Sequence, residues 1–159
     1  MTQRLSPQGL SKLLGLLGGT DLVGEAVPVR AVVLGSSSTV SADLDVAETL
    51  DGVTTLDLYD DGGSGPYRSD ATCTVVVDDS VVRVTVADTV FTALPPQGDG
   101  GSTDLARFVL LYMPQEAPEE DSSSIPLLVV SPDFAGVPPD GTDYTVVWPT
   151  TGVLRVETG

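Results

Sequence analysis

The chain is 159 residues long and sets 7 Lys and Arg against 23 Asp and Glu, with no histidine, for a net charge of −16; the length suits one domain. So acidic a surface excludes a nucleic-acid reader, whose affinity rests on Lys and Arg displacing counterions from phosphates. The absence of histidine removes Ser-His-Asp and Cys-His pairs, the imidazole general base and His ligation of zinc.

One lysine, Lys12, stands beside six arginines, in a chain rich in Ala, Gly, Val and Asp. A GC-rich genome encodes such a composition, and a surface kept hydrated at high ionic strength has it too. Cys73 is alone, so no intrachain disulfide is possible and the core must carry the stability. The leucine-rich stretch near the start is interrupted by Lys12 and glycines and precedes no small-residue cleavage site, so a signal peptide is not expected. No segment approaches the roughly 20 continuous apolar residues that span a bilayer.

Ser6-Pro7 predicts the start of a helix, because Ser caps free amides and Pro at the first helical position loses no hydrogen bond. Leu10, Leu13, Leu14 and Leu17 follow at i, i+3, i+4 and i+7, one apolar stripe, and Gly18-Gly19 ends it. The helix either closes one end of its own subunit or docks onto a neighbour through the Gly-rich hinge that follows. The expected division is an N-terminal helix and hinge over 1–24 and a single β domain over 25–159.

Beyond Gly24 the pattern reads as strand and turn throughout. Residues 27–34 form an apolar β-branched run in which Pro28 suggests a sheet edge, and residues 53–59 form a second strand. Residues 71–77 and 81–87 predict a hairpin with one wet face, since Val82, Val84 and Val86 alternate with Arg83, Thr85 and Ala87. Residues 105–113 are almost wholly apolar and predict a central strand. Strands over 126–130, 144–148 and 153–157 complete the series. About eight short strands and one short N-terminal amphipathic helix predict a mainly β fold, an antiparallel β-sandwich or small barrel.

The acidic loops raise the question of a cation. Asp57, Asp60, Asp61 and Asp70 flank a Gly-rich turn, and Asp99, Asp104, Glu116, Glu119, Glu120 and Asp121 lie in other loops. Their spacing matches neither an EF-hand nor a repeated calcium turn, so these are read as solvated loops, with no metal and no cofactor expected. A carboxylate pair for glycoside hydrolysis needs a cleft lined with aromatics. Phe91, Phe108, Tyr112, Tyr144 and Trp148 sit instead at inward-looking strand positions, and no enzyme is expected. Cys73 reads as a small buried strand residue.

The second half carries a resemblance. Thr103-Asp-Leu-Ala-Arg-Phe-Val-Leu-Leu-Tyr112, Ile125-Pro-Leu-Leu-Val, Asp133-Phe134, Asp140-Gly-Thr-Asp-Tyr-Thr-Val-Val-Trp148 and Gly152-Val-Leu-Arg-Val156 are similar to segments of small tailed-bacteriophage virion structural proteins of the capsid decoration or head fibre type. The Leu-Leu-Gly-Leu-Leu helix ahead of a first strand is similar too. Met113-Pro-Gln-Glu-Ala-Pro stands where that group carries a longer polar insert.

The resemblance implies a structural protein of the virion exterior, made in the host cytoplasm, with no catalytic residues to carry over. Its implied partners are the major capsid protein and its own copies in a homo-oligomer such as a trimer, without direct contact to nucleic acid or membrane. A tail or receptor-binding fibre component is the alternative in the same class, and a calcium-dependent or carbohydrate-binding adhesive module the alternative outside it. The expected contacts are the helix stripe, Leu10, Leu13, Leu14 and Leu17, and the supposed edge strand through Val29 and Val33.

Overall fold

A computed structural model describes residues 2–7, 9, 26–59, 66–78, 81–96, 105–115, 123–134 and 136–157. The elements are β1 (Thr2–Leu5), β2 (Ala26–Gly35), α1 (Val40–Asp43), a 3-10 turn (Leu50–Gly52), β3 (Arg68–Asp78), β4 (Val81–Val86), β5 (Thr89–Phe91), β6 (Ala106–Met113), β7 (Ile125–Ser131), β8 (Tyr144–Val146) and β9 (Leu154–Glu157). Seven of the strands form one sheet in the order β1-β7-β6-β2-β3-β4-β9, antiparallel throughout, and β5 pairs with β8 in a small second sheet. The fold is mainly β and antiparallel, as the turn spacing and strand lengths predict.

The centre of the large sheet is apolar on both faces, which follows from the near-continuous apolar runs of β2 and β6. Val29, Ala31 and Val33 of β2 join Val109 and Leu111 of β6 in one buried cluster, and Val32 and Leu34 join Leu110 and Tyr112 in another on the opposite side. The register explains this division, since Val33 faces Val109 and Val32 faces Leu110 across the ladder. Two bulges adjust the alternation. Phe108 pairs with Leu34 and Ala106 with Gly35, so Arg107 is the extra residue, turned out to solvent, and Ala106 regains the face of Val109. Leu127 is the corresponding extra residue in β7, because Leu128 faces Leu111 while Pro126 faces Tyr112.

Each face needs its own cover. On one, the β5–β8 ribbon and its flanking loops bring Phe91, Leu94, Phe134, Val146, Trp148 and Val153 onto Val75, Val84 and Val109. On the other, the segment around α1 and the 3-10 turn brings Val40, Leu44, Ala47, Leu50 and Val53 onto Val32, Leu110 and Val129. Two backbone bonds fasten this second cover to the sheet's surroundings, from Leu50 N–H to the Ser124 carbonyl and from Gly35 N–H to the Asp57 carbonyl.

Several expectations are corrected. Residues 53–59 do not form a strand; only Leu58 bridges to Leu34, because the chain there is finishing the cover and touches the sheet once. Residues 27–34 are not an edge. β2 lies between β3 and β6, and Pro28 is tolerated because the β6 partner strand ends its pairing at Arg30. The reading of strand and turn alone after Gly24 missed α1, four residues long and held by tertiary packing of Val40. β1 and β5 were also missed, being too short to show periodicity.

The first residues also contribute to the sheet. β1 belongs to the sheet, pairing Thr2–Leu5 with β7, and Ser6 N–H donates to the Leu127 carbonyl at 2.8 Å. The helix start is placed where the sequence puts it: Pro7 and Gly9 have helical backbone, and buried Ser6 Oγ accepts the Gly9 N–H at 3.0 Å. The leucine stripe itself, Leu10, Leu13, Leu14 and Leu17, lies outside the described residues.

Two substitutions test this packing. Thr89 and Trp148 are buried in the ribbon face, and neither Thr89 Oγ1 nor Trp148 Nε1 has a hydrogen-bond partner among the described residues. A buried unpaired hydroxyl costs about 1–3 kcal/mol, so the isosteric change Thr89→Val should raise the thermal midpoint, and an unchanged or lower midpoint contradicts the placement. Gly9→Ala should lower it, because a Cβ at Gly9 would collide with the Pro126 carbonyl oxygen of β7.

Candidate docking face

The two faces of the large sheet differ beyond its centre. The ribbon-side face stays apolar from β2 to β4, through Val29, Cys73, Val75, Val84 and Val86. The face under α1 is covered over β7, β6 and the second half of β2, and its cover stops there. Over β3 and β4 the same face carries Asp70, Thr72, Thr74, Arg83 and Thr85, the polar partners of the strict alternation in the β3–β4 hairpin. Ala26, Pro28, Asp70 and Thr72 are exposed, and Thr74, Val76, Arg83 and Thr85 half-buried. The covered half and the open half therefore meet at a step along β2 and β3.

Charge is segregated across that step. Register puts Arg30 and Arg68 beside it and Arg83 further out, all on the α1 side of the sheet. Arg4 shares this side, since it pairs with Val129 of the α1-side cluster, and it makes an ion pair with Asp45 of the cover. Among the described side chains, four arginines thus fall on one face, while residues 36–58 of the cover hold five carboxylates and no basic residue.

Hydrogen bonds hold the acidic cover in shape. Asp43 Oδ2 accepts from the Thr39 hydroxyl at 2.6 Å and from the Thr54 N–H at 2.7 Å, and Thr39 Oγ1 accepts the Thr55 N–H at 2.9 Å. The Thr39 hydroxyl, and after it the Thr54 amide, pull the Asp43 carboxyl below the usual carboxylate range. Asp57 accepts the Ser37 N–H at 3.1 Å. At the step, Arg30 Nε donates to Asp70 Oδ1 at 2.6 Å, and this bond raises the guanidinium pKa. Asp70 remains 78% exposed, so the pair is solvent-screened and adds little to stability.

Of the acidic residues singled out as a possible cation site, the two that are described do not converge. Asp57 and Asp70 serve separate partners, Ser37 and Arg30, and Asp60, Asp61, Asp99, Asp104, Glu116, Glu119, Glu120 and Asp121 lie outside the described residues. Among the described residues no three His, Cys, Asp or Glu side chains come close enough to hold a metal ion. Asp133, Asp140 and Asp143 each accept a turn N–H, from Gly136, Thr142 and Ala93 respectively. The Ala93 bond steadies a residue at φ +48°, a left-handed conformation for a non-glycine.

Of the expected contact residues, Val29 and Val33 are 1% and 0% exposed and belong to the central core rather than to the surface. Burial pushes the Cys73 thiol up to about 11, which keeps it protonated and unreactive. The arginine-bearing half-face was not singled out from sequence, although its signal was there: Arg68, Asp70, Thr72 and Thr74 alternate at i, i+2 as Arg83 and Thr85 do in the strand read as having one wet face. No family model, curated protein or solved structure matches the chain.

The Asp43 network predicts a pH signature. A carboxyl whose folded pKa is depressed contributes stability that is present above the unfolded pKa and lost as pH falls through the folded one. Asp43→Asn should therefore melt below the unaltered chain at neutral pH, with the gap closing under acid conditions below the usual carboxylate range. A gap that persists unchanged in acid contradicts the ionic role.

Proposed function

We infer that the chain is a non-enzymatic structural component of a tailed-bacteriophage virion, a capsid decoration protein that binds the outer face of the head through the major capsid protein and its own copies. One observation carries the reading. The residues that bear the resemblance are packed as a single unit: β6 and β7 pair side by side, and Phe134, Tyr144, Val146 and Trp148 cover Val109 and Leu111 of β6, with the Phe134 and Tyr144 rings 5.0 Å apart. A likeness between folded domains requires such convergence.

The physics of the role is multivalent attachment. A doubly covered sheet is a stiff platform, and several modest contacts to neighbouring capsid subunits strengthen one another through effective concentration. A net charge of −16 disfavours an inner-face position beside packaged DNA and suits the solvent side of a shell. The stripe Leu10, Leu13, Leu14 and Leu17 is the proposed shell contact.

Because Thr2–Leu5 and Ser6 are part of the sheet, the test uses substitutions and not a truncation. Replacing Leu10, Leu13, Leu14 and Leu17 with serine should abolish cosedimentation with phage heads while the β-rich circular dichroism persists. Undiminished binding removes the stripe from the contact. Antibody label on particles should cover the head; label confined to the tail tip overturns the decoration reading in favour of a tail component.

A further inference from the structure

The ribbon that closes the other side of the sheet has an outer face of its own. Burial alternates along both strands: Thr89, Phe91, Val146 and Trp148 are buried, and Asp88, Val90, Thr92, Asp143, Thr145 and Val147 are exposed. Register pairs Val90 with Thr145. Beyond the ladder, Trp148 N–H donates to Asp88 Oδ1 at 3.1 Å and Ala93 N–H to Asp143 Oδ1 at 3.0 Å, which sets Asp88 beside Val147 at one end of the face and Asp143 beside Thr92 at the other. Val147 is 63% exposed and Val90 44%. The face thus holds two valines and two threonines, with a carboxylate at each end, about 13 Å apart along the strands.

The charge of this cover has one sign. Residues 87–96 and 132–153 hold four carboxylates, Asp88, Asp133, Asp140 and Asp143, all exposed, and no lysine or arginine. Among the described residues, Asp88 and Asp143 each engage only Oδ1, on a backbone amide, and neither is in an ion pair.

We propose that this face is a second contact with the shell, and that its occupant is a surface of the major capsid protein on which apolar side chains stand between lysines or arginines. The two valines gain from being covered by apolar groups, and the carboxylates at both ends select basic groups to flank them and reject acidic ones. A second copy does not fit. Laid on itself, the face would meet a cover with no basic residue, and six residues fall far short of the roughly 20–30 a side of a stable protein–protein interface. A small contact suffices where other contacts already hold the partner close, as they do in the multivalent attachment of a decoration protein. The proposal rests on the decoration reading and adds to it the chemistry of the capsid surface, apolar and basic, that the ribbon side of the sheet meets.

Cosedimentation with phage heads over a range of salt concentrations tests it. The unaltered chain should bind, and less tightly as salt rises. Val90→Thr combined with Val147→Thr keeps the β-branched shape and removes the apolar contact, and should weaken binding about tenfold. Val46→Thr, at an exposed valine on the α1 side, should leave binding unchanged. Asp88→Asn combined with Asp143→Asn keeps both acceptors of the backbone amides and removes the charge, so it should weaken binding and flatten the salt dependence, with unchanged circular dichroism. Either ribbon pair binding heads as tightly as the unaltered chain, an Asn pair that keeps the full salt dependence, or an equal loss in Val46→Thr overturns the proposal and leaves the decoration reading standing. An unaltered chain that binds no heads overturns the decoration reading, and this contact with it.

Discussion

Two strands, β2 and β6, are apolar on both sides, and the rest of the molecule is arranged around the need to cover them twice. Val32, Val33, Leu110 and Leu111 are adjacent in the ladder and point alternately to opposite faces, so no single layer can bury them. At roughly 1.5–3 kcal/mol for each fully buried aliphatic side chain, leaving either side wet would cost a large part of the stability of a domain this size. The ribbon of β5 and β8 exists to close one side and the α1 segment to close the other. Neither cover is large enough to be stable by itself, since α1 is four residues long and a two-stranded ribbon is marginal in water.

The unequal width of the two covers is what turns the scaffold into a surface. The ribbon side is sealed out to β4, whereas the α1 side is sealed only to β2. Beyond that limit β3 and β4 switch from two-sided burial to alternation, and the released positions are filled by Arg, Thr and Asp. Two of the chain's six arginines, Arg68 and Arg83, lie there, opposite in sign to the cover beside them. A flat, stiff face of this kind suits a protein whose work is to lie against others, and the proposed decoration role draws on it.

Much of this was legible in the residues. β3, β6 and β7 announce themselves because five or more consecutive β-branched or apolar residues admit few other structures, β2 and β4 because β-branched residues dominate or alternate through them, and Ser6 declares its cap because Ser-Pro is a specific helix opening. The position of β2 was misread because Pro28 marks an edge only if partner strands run past it on both sides, and β6 stops two residues short. Residues 53–59 carry strand propensity but spend it on the cover, where Val53 and Leu56 pack downward on β2 and β6. β1, β5 and α1 are three or four residues long and owe their form to neighbours far away in sequence. The candidate face was hidden for the same reason, since four arginines spread from Arg4 to Arg83 fall on one side only once the register is known.

Native-state hydrogen exchange tests the central constraint most directly. If two-sided burial of β2 and β6 organises the fold, the amides of Val32, Leu34, Leu110 and Leu111 should exchange only through global unfolding, while those of Phe91 and Val146 in the ribbon and Leu44 in the cover open at lower free energy. Exchange from β2 and β6 as fast as from the ribbon or the cover would contradict the account.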